Sequence, residues 1–298
     1  YSHCSLSNVL RECQIFILSR QSYAEEGFWY SKGLIDLEMV NHMLQFTRSI
    51  SGLDDSDSDL VSNGLKQGFL SPCFLVKEPS IWPFLSYPKL ISTIRKLIGP
   101  SIRFCHGGDI LFAHRSGFPF HRDLWFDFSE PPSWDSGLKN FKFVRAITFF
   151  HEYRPITFGL YPGSHLFNSC SRKAIWIDVN PGDVVFFDPR LLHSGLACDF
   201  PKYGLILTFA VENKHAYDYH FYRRFVQIPD RYTSPSKSFI DFLSKLSLYS
   251  PSIMDLALQN FYRQQLAYIS PAEPPQGYLS THFNNRTACT QTTKNPLP

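Results

Sequence analysis

Pro119-Phe120-His121-Arg122-Asp123, answered about seventy positions later by Asp188-Pro189-Arg190-Leu191-Leu192-His193-Ser194-Gly195, decides how this chain reads. Residues i and i+2 of a strand share a face, so His121 and Asp123 can grip the same ion. A third ligand must come from a second strand, and the apolar run Val184-Val185-Phe186-Phe187 leading towards His193 supplies one. Two imidazoles and one carboxylate make a facial ligand set with open positions, the arrangement of non-haem Fe(II) sites. A His-x-Asp tripeptide alone is a weak signal; its surroundings give it weight.

Outward from that stretch the pattern has three parts. Residues 36–50 read as a helix, with Asp36 as cap and Leu37, Val40 and Leu44 on one face. Residues 87–98 read as another, capped by Ser86 and stopped by Gly99-Pro100. Between them Asp54–Asp59 forms an acidic, Ser-rich connection without the pattern of a calcium loop. From 102 to 226 short β-type runs take over, among them Ile110–Phe112, Val144–Phe150, Ile175–Ile177, Val184–Phe187 and Leu205–Val211. Helical periodicity returns at 237–246 and 252–268, followed by a polar tail. Residues 1–298 are therefore expected to be one domain, mainly β: a double-stranded β-helix (jelly roll) over 102–226, supported by a strand and helices at 22–101 and by C-terminal helices and tail at 227–298.

Composition narrows the function classes. The 298 residues are 44% hydrophobic and 18% charged, an ordinary balance for a globular chain, with a high aromatic share of 16%. A net charge of +3 without a basic run argues against nucleic acid as a partner. The 7 cysteines show no CxxC pair and are an odd number, as expected of reduced thiols in an intracellular, cytoplasmic protein. No apolar run is long enough to suggest a membrane partner. The chain begins with Tyr1 rather than Met, which leaves a preceding targeting segment open, and the oligomeric state cannot be read.

Four segments, in order, resemble the phytanoyl-CoA dioxygenase family, a branch of the Fe(II)/2-oxoglutarate oxygenases. They are Phe120–Trp125, Phe158-Gly159-Leu160-Tyr161-Pro162-Gly163-Ser164-His165, Pro181-Gly182-Asp183-Val184-Val185-Phe186-Phe187 and Leu192-His193-Ser194-Gly195. Weaker agreement at Glu26–Ile35 extends the likeness to about residues 22–225. The resemblance implies a jelly roll, Fe(II) held by His121, Asp123 and His193, 2-oxoglutarate and O2 as co-substrates, and release of succinate and CO2. It also implies that His165 belongs to a structural turn and is held by hydrogen bonds.

The co-substrate residues depart from the family pattern. An arginine expected after the distal histidine is replaced by Lys202, which can balance a carboxylate but lacks the guanidinium fork. Ser194 could add a hydroxyl to the same carboxylate, and His114 or Arg115 could reach the co-substrate, with Arg145 as a weaker substitute cation. Trp125, Phe126 and Phe128 follow the motif and suggest a pocket for a small hydrophobic or ring-containing substrate, although core packing explains them equally well. Hydroxylation, desaturation or ring formation is expected rather than halogenation, because Asp123 fills the position a halide would need. Two alternatives stay open at this level: a catalytically silent jelly-roll binding protein, and a jelly-roll metalloenzyme that does not use 2-oxoglutarate.

Overall fold

The computed structural model describes residues 20–51, 69–71, 74–114, 117–123, 142–151, 155–166, 172–198, 200–212 and 235–251. Helix α1 (Arg20–Glu26) leads into β1 (Phe28–Ser31), α2 (Leu37–Ser51), β2 (Phe69–Ser71) and α3 (Phe74–Lys77). A 3-10 turn (Pro79–Ser86) precedes α4 (Pro88–Ile98). Eight strands follow: β3 (Ile102–His114), β4 (Phe118–His121), β5 (Phe143–Phe149), β6 (Ile156–Leu160), β7 (Ile175–Val179), β8 (Val184–Phe187), β9 (His193–Gly195) and β10 (Pro201–Val211). Helix α5 (Lys237–Lys245) closes the described part.

The strands form two antiparallel sheets. One has six strands in the order β1-β8-β5-β10-β3-β2, the other four in the order β4-β9-β6-β7. Apart from the hairpin-like pairs β2–β3 and β6–β7, consecutive strands fall in opposite sheets or apart in one sheet, as in a double-stranded β-helix, and the fold is that jelly roll with flanking helices. The alternation of side chains sorts two cores. Ile147, Phe149, Phe158, Leu160, Val185 and Phe187 pack between the sheets. Val144, Ala146, Phe186, Leu207 and Phe209 point the other way, onto Val40, Met43 and Leu44 of α2, Leu90, Ile94 and Leu97 of α4, and Phe239 and Leu243 of α5. The six-stranded sheet is thus covered on both faces, which is why its strands read as unbroken apolar runs.

The Pro181-Gly182-Asp183 turn shows why its residue types are needed. Gly182 has φ +88°, and a Cβ there would lie 2.4 Å from the carbonyl oxygen of Ile35. That approach lets Ile35 N donate to Gly182 O at 2.9 Å. Asp183 then collects N–H groups from Gly33 (2.7 Å) and Asn180 (2.9 Å) and the Tyr30 hydroxyl. The edge strand β1 is so tied to the turn that launches β8, the strand leading to His193.

Two local readings are corrected. Asp36 does cap α2, accepting from Met39 N at 2.9 Å. Ser86 does not cap α4: Tyr87 holds that position without a side-chain bond, and the Ser86 hydroxyl donates to Pro83 O inside the 3-10 turn. The last strand begins at Pro201 rather than Leu205, because β10 pairs with β3 along its whole length. Residues 54–59 and 252–268 lie outside the described residues. Among the described residues no helix is long and apolar enough to cross a membrane.

Candidate metal centre

Antiparallel pairing of β4 with β9 sets His121 directly opposite His193. Their rings lie 4.3 Å apart between centroids. Asp123 follows just past the end of β4, on the same side as His121, and its backbone N–H is held by Pro189 O at 3.0 Å. His121 Nε2 stands 3.7 Å from Asp123 Oδ1, and His193 Nε2 stands 3.5 Å from Asp123 Oδ2. All three donor groups fall within 4.8 Å of one another.

The other ring nitrogens decide what these imidazoles can do. His121 Nδ1 donates to Pro119 O at 2.8 Å and His193 Nδ1 donates to Leu191 O at 2.9 Å. A carbonyl only accepts, so both rings carry their proton on Nδ1 and present the Nε2 lone pair towards Asp123. Burial pushes the His193 pKa down to about 4, with Asp123 opposing, so this ring is neutral near pH 7. Neutral imidazole is the ligating form. A small divalent cation therefore fits the donor set, which offers two aimed nitrogens and one carboxylate. Side-chain exposure falls from 38% at His121 to 17% at Asp123 and 6% at His193, so the centre opens on the His121 side. Phe158 and Phe187 wall the closed side, with ring centroids 5.7 and 4.5 Å from that of His193.

A second layer holds the two halves in register. Arg122 points away from the centre and is buried; its Nε donates to Arg190 O (3.0 Å) and its Nη2 to Ser164 O (2.9 Å). Ser164 Oγ in turn accepts from Leu192 N at 2.9 Å. Arg190 grips Asp188 through Nε (2.9 Å) and Nη2 (2.7 Å), both side chains buried. The segment after β4 and the turn before β9 are thus tied to each other and to the Pro162–His165 turn. His165 sits there with Nε2 against Ala24 O at 2.9 Å, away from the metal donors.

The co-substrate candidates separate. Lys202 is no solvated loop lysine. It is buried within β10, and its Nζ crosses to the other sheet to donate to Leu196 O, just past β9, at 2.6 Å. Burial lowers its pKa from the usual lysine value, against a smaller opposing effect of Cys198. Ser194 follows the distal histidine on β9 and is buried. His193 faces inward, so Ser194 faces outward, opposite Gly159, whose own outer side is covered by the Trp176 ring. His114 pairs its backbone with Pro201 at the end of β3, and nothing of its side chain is described. Arg115, Trp125, Phe126 and Phe128 lie outside the described residues.

Arg145, read from the sequence as a weaker substitute cation, lies against Asp123. It belongs to the first turnings of β5, a strand buried at every position, and its Nη1 donates to Asp123 Oδ2. The signal was there: one guanidinium inside Phe143-Val144-Arg145-Ala146-Ile147-Thr148-Phe149 needs an anionic partner in the interior.

No protein-family model matches the chain, and no curated protein matches its sequence. Solved structures are similar to it in shape. HygX from Streptomyces hygroscopicus, determined with nickel and 2-oxoglutarate bound, aligns with a TM-score of 0.51 at 13% identity, over 64% of this chain and 87% of that one. The non-heme alpha ketoglutarate dependent epimerase SnoN from nogalamycin biosynthesis aligns at 0.49 with 14% identity, over 73% and 89%. The carbocyclase SnoK from the same biosynthesis aligns at 0.49 with 15% identity, over 66% and 84%. At such identities the likeness is one of fold alone, and the chain shares its jelly-roll fold with HygX.

Proposed function

We propose that the chain is a mononuclear Fe(II)/2-oxoglutarate-dependent oxygenase of the phytanoyl-CoA dioxygenase type. It hydroxylates, desaturates or cyclises a small hydrophobic substrate and releases succinate and CO2. The observation that carries this reading is the pair of Nδ1-anchored imidazoles aiming Nε2 at one carboxylate across β4 and β9. A ferrous ion bound there supplies the redox chemistry with O2 that no protein side chain can supply.

The chain's own residues do the rest. His121 and His193 offer their Nε2 atoms, and Asp123 offers the charge that balances a divalent ion. Phe158 and Phe187 keep water from the His193 side. Lys202, the buried ammonium reaching across from β10, is suited to the distal carboxylate of a dicarboxylic co-substrate, by charge and hydrogen bond. Succinate formation from 2-oxoglutarate, in air with added Fe(II), tests the proposal. Turnover should need iron and vanish in the His121→Ala/His193→Ala double variant. Iron-dependent turnover that survives in that variant would remove these residues from the mechanism.

A further inference from the structure

We infer that Arg145 is a positioning residue that confines Asp123 to one metal-binding oxygen. The inference rests on the ferrous-site reading above. Both ends of Asp123 are held: its N–H by Pro189 O, and its Oδ2 by the Arg145 guanidinium. Arg145 itself is fixed, being 3% exposed in a strand without an exposed residue. Its neighbour across the β5–β8 pair is Phe187, whose ring packs on His193, and across the β5–β10 pair it is the buried Thr208. The guanidinium therefore cannot swing out to solvent and leave Oδ2 free.

The consequence is one of coordination count. An octahedral ion has about six positions, and two imidazoles with one carboxylate oxygen leave about three of them open. A 2-oxo acid chelating through its keto and carboxylate oxygens takes two, and the last serves O2. A carboxylate that bound through both oxygens would consume that last position. Oδ1 stands 3.7 Å from His121 Nε2 and Oδ2 3.5 Å from His193 Nε2, and a charge-assisted hydrogen bond from Arg145 draws on Oδ2 and so shifts the metal bond towards Oδ1. In this role Arg145 acts through Asp123, the carboxylate its guanidinium holds.

The test counts exchangeable waters on Mn(II) bound to the otherwise native chain without co-substrate, by water-proton relaxation. Arg145→Met and Arg145→Gln, two neutral replacements so that one folding failure does not end the test, should each carry one exchangeable water fewer than the native protein. Both should bind 2-oxoglutarate to the Mn(II)-loaded protein about tenfold or more weakly. Arg145→Lys, which keeps a cationic donor, should keep the native count. A merely structural arginine would lower the melting temperature of the metal-free protein and leave the water count alone. A native count in the folded neutral variants overturns the inference. Native protein that binds Mn(II) no better than His121→Ala/His193→Ala overturns the metal-site reading instead.

Discussion

Every residue of β5 and β8 in the six-stranded sheet is buried, whereas β7 in the four-stranded sheet leaves Ile175 and Trp176 exposed. The sheets also carry different chemistry. The thinner, half-solvated sheet brings the metal donors His121 and His193 on β4 and β9. The doubly covered sheet contributes the cations Arg145 and Lys202, each with its polar end crossing to groups held by the other sheet. The difference follows from what each environment tolerates. Neutral imidazoles tied to backbone carbonyls suit a sheet near solvent, while a cation inside a covered sheet persists only with a fixed partner. Arg145 has its anion in Asp123, whereas the Lys202 ammonium meets the Leu196 carbonyl, and of the metal donors His121 lies nearest the opening.

The largest expected effect removes the donors. The His121→Ala/His193→Ala double variant should lose at least about a hundredfold in anaerobic Fe(II) affinity, beyond the 10–100-fold usual for outer partners alone. Its fold should remain, because the segments on either side are held by Arg122 and by the Asp188–Arg190 pair rather than by the imidazoles. Undiminished titration in the double variant would separate the site from these residues.

Next comes the covered sheet. Phe186 points from β8 into the helical layer and is fully buried. Phe186→Ala should destabilise the protein by about 3–5 kcal/mol, through lost burial and a cavity the packed layer cannot close. Chemical denaturation measures this directly. A cost below about 1 kcal/mol would mean that the helices are not truly packed on that face.

Lys202→Ala should weaken 2-oxoglutarate binding by roughly 2–5 kcal/mol, the range for truncating one partner of a buried charge pair. Metal affinity without co-substrate should hardly change, because the Lys202 ammonium meets Leu196 O and not the metal donors. Lys202→Arg should not be neutral, since a longer planar fork must enter a space shaped around a shorter point charge. Unchanged 2-oxoglutarate affinity in Lys202→Ala would move that role to another cation.

What the sequence allowed to be read follows the same divide. The His-x-Asp stretch, the distal histidine and the Pro-Gly-Asp turn were legible because each is local: a spacing, a strand phase, a glycine at positive φ. The unbroken apolar runs announced the covered sheet. Lys202 looked like a loop residue because Pro201-Lys202-Tyr203-Gly204 has loop composition, and only pairing with β3 carries the strand through it. Proline is acceptable there as the first residue of the strand. Strand phase was the signal at Ser194, since one step from an inward histidine points outward. For Arg145 the need of an anion was legible but its partner was not, because Asp123 lies just past β4, a strand of the other sheet.

The smallest effect probes the outer face of the four-stranded sheet, the counterpart of Phe186. Trp176 is 48% exposed, and its ring lies over the backbone of Gly159, near the ring of Phe120 at 5.4 Å between centroids. Trp176→Ala removes only partly buried area and leaves no closed cavity, so a cost of about 1–2 kcal/mol is expected. The sharper measurement is a cycle with Gly159→Ala. A Cβ at Gly159 would sit 2.4 Å from Cζ3 of Trp176, so that substitution alone must displace the ring. With Trp176→Ala already present the clash is gone, and alanine is favoured over glycine in a strand interior by roughly 0.5–1 kcal/mol. Gly159→Ala should therefore destabilise the native chain and be neutral or stabilising in the Trp176→Ala background, a non-additivity readable by denaturation. Equal costs in the two backgrounds would mean that glycine at 159 answers to something other than the tryptophan above it.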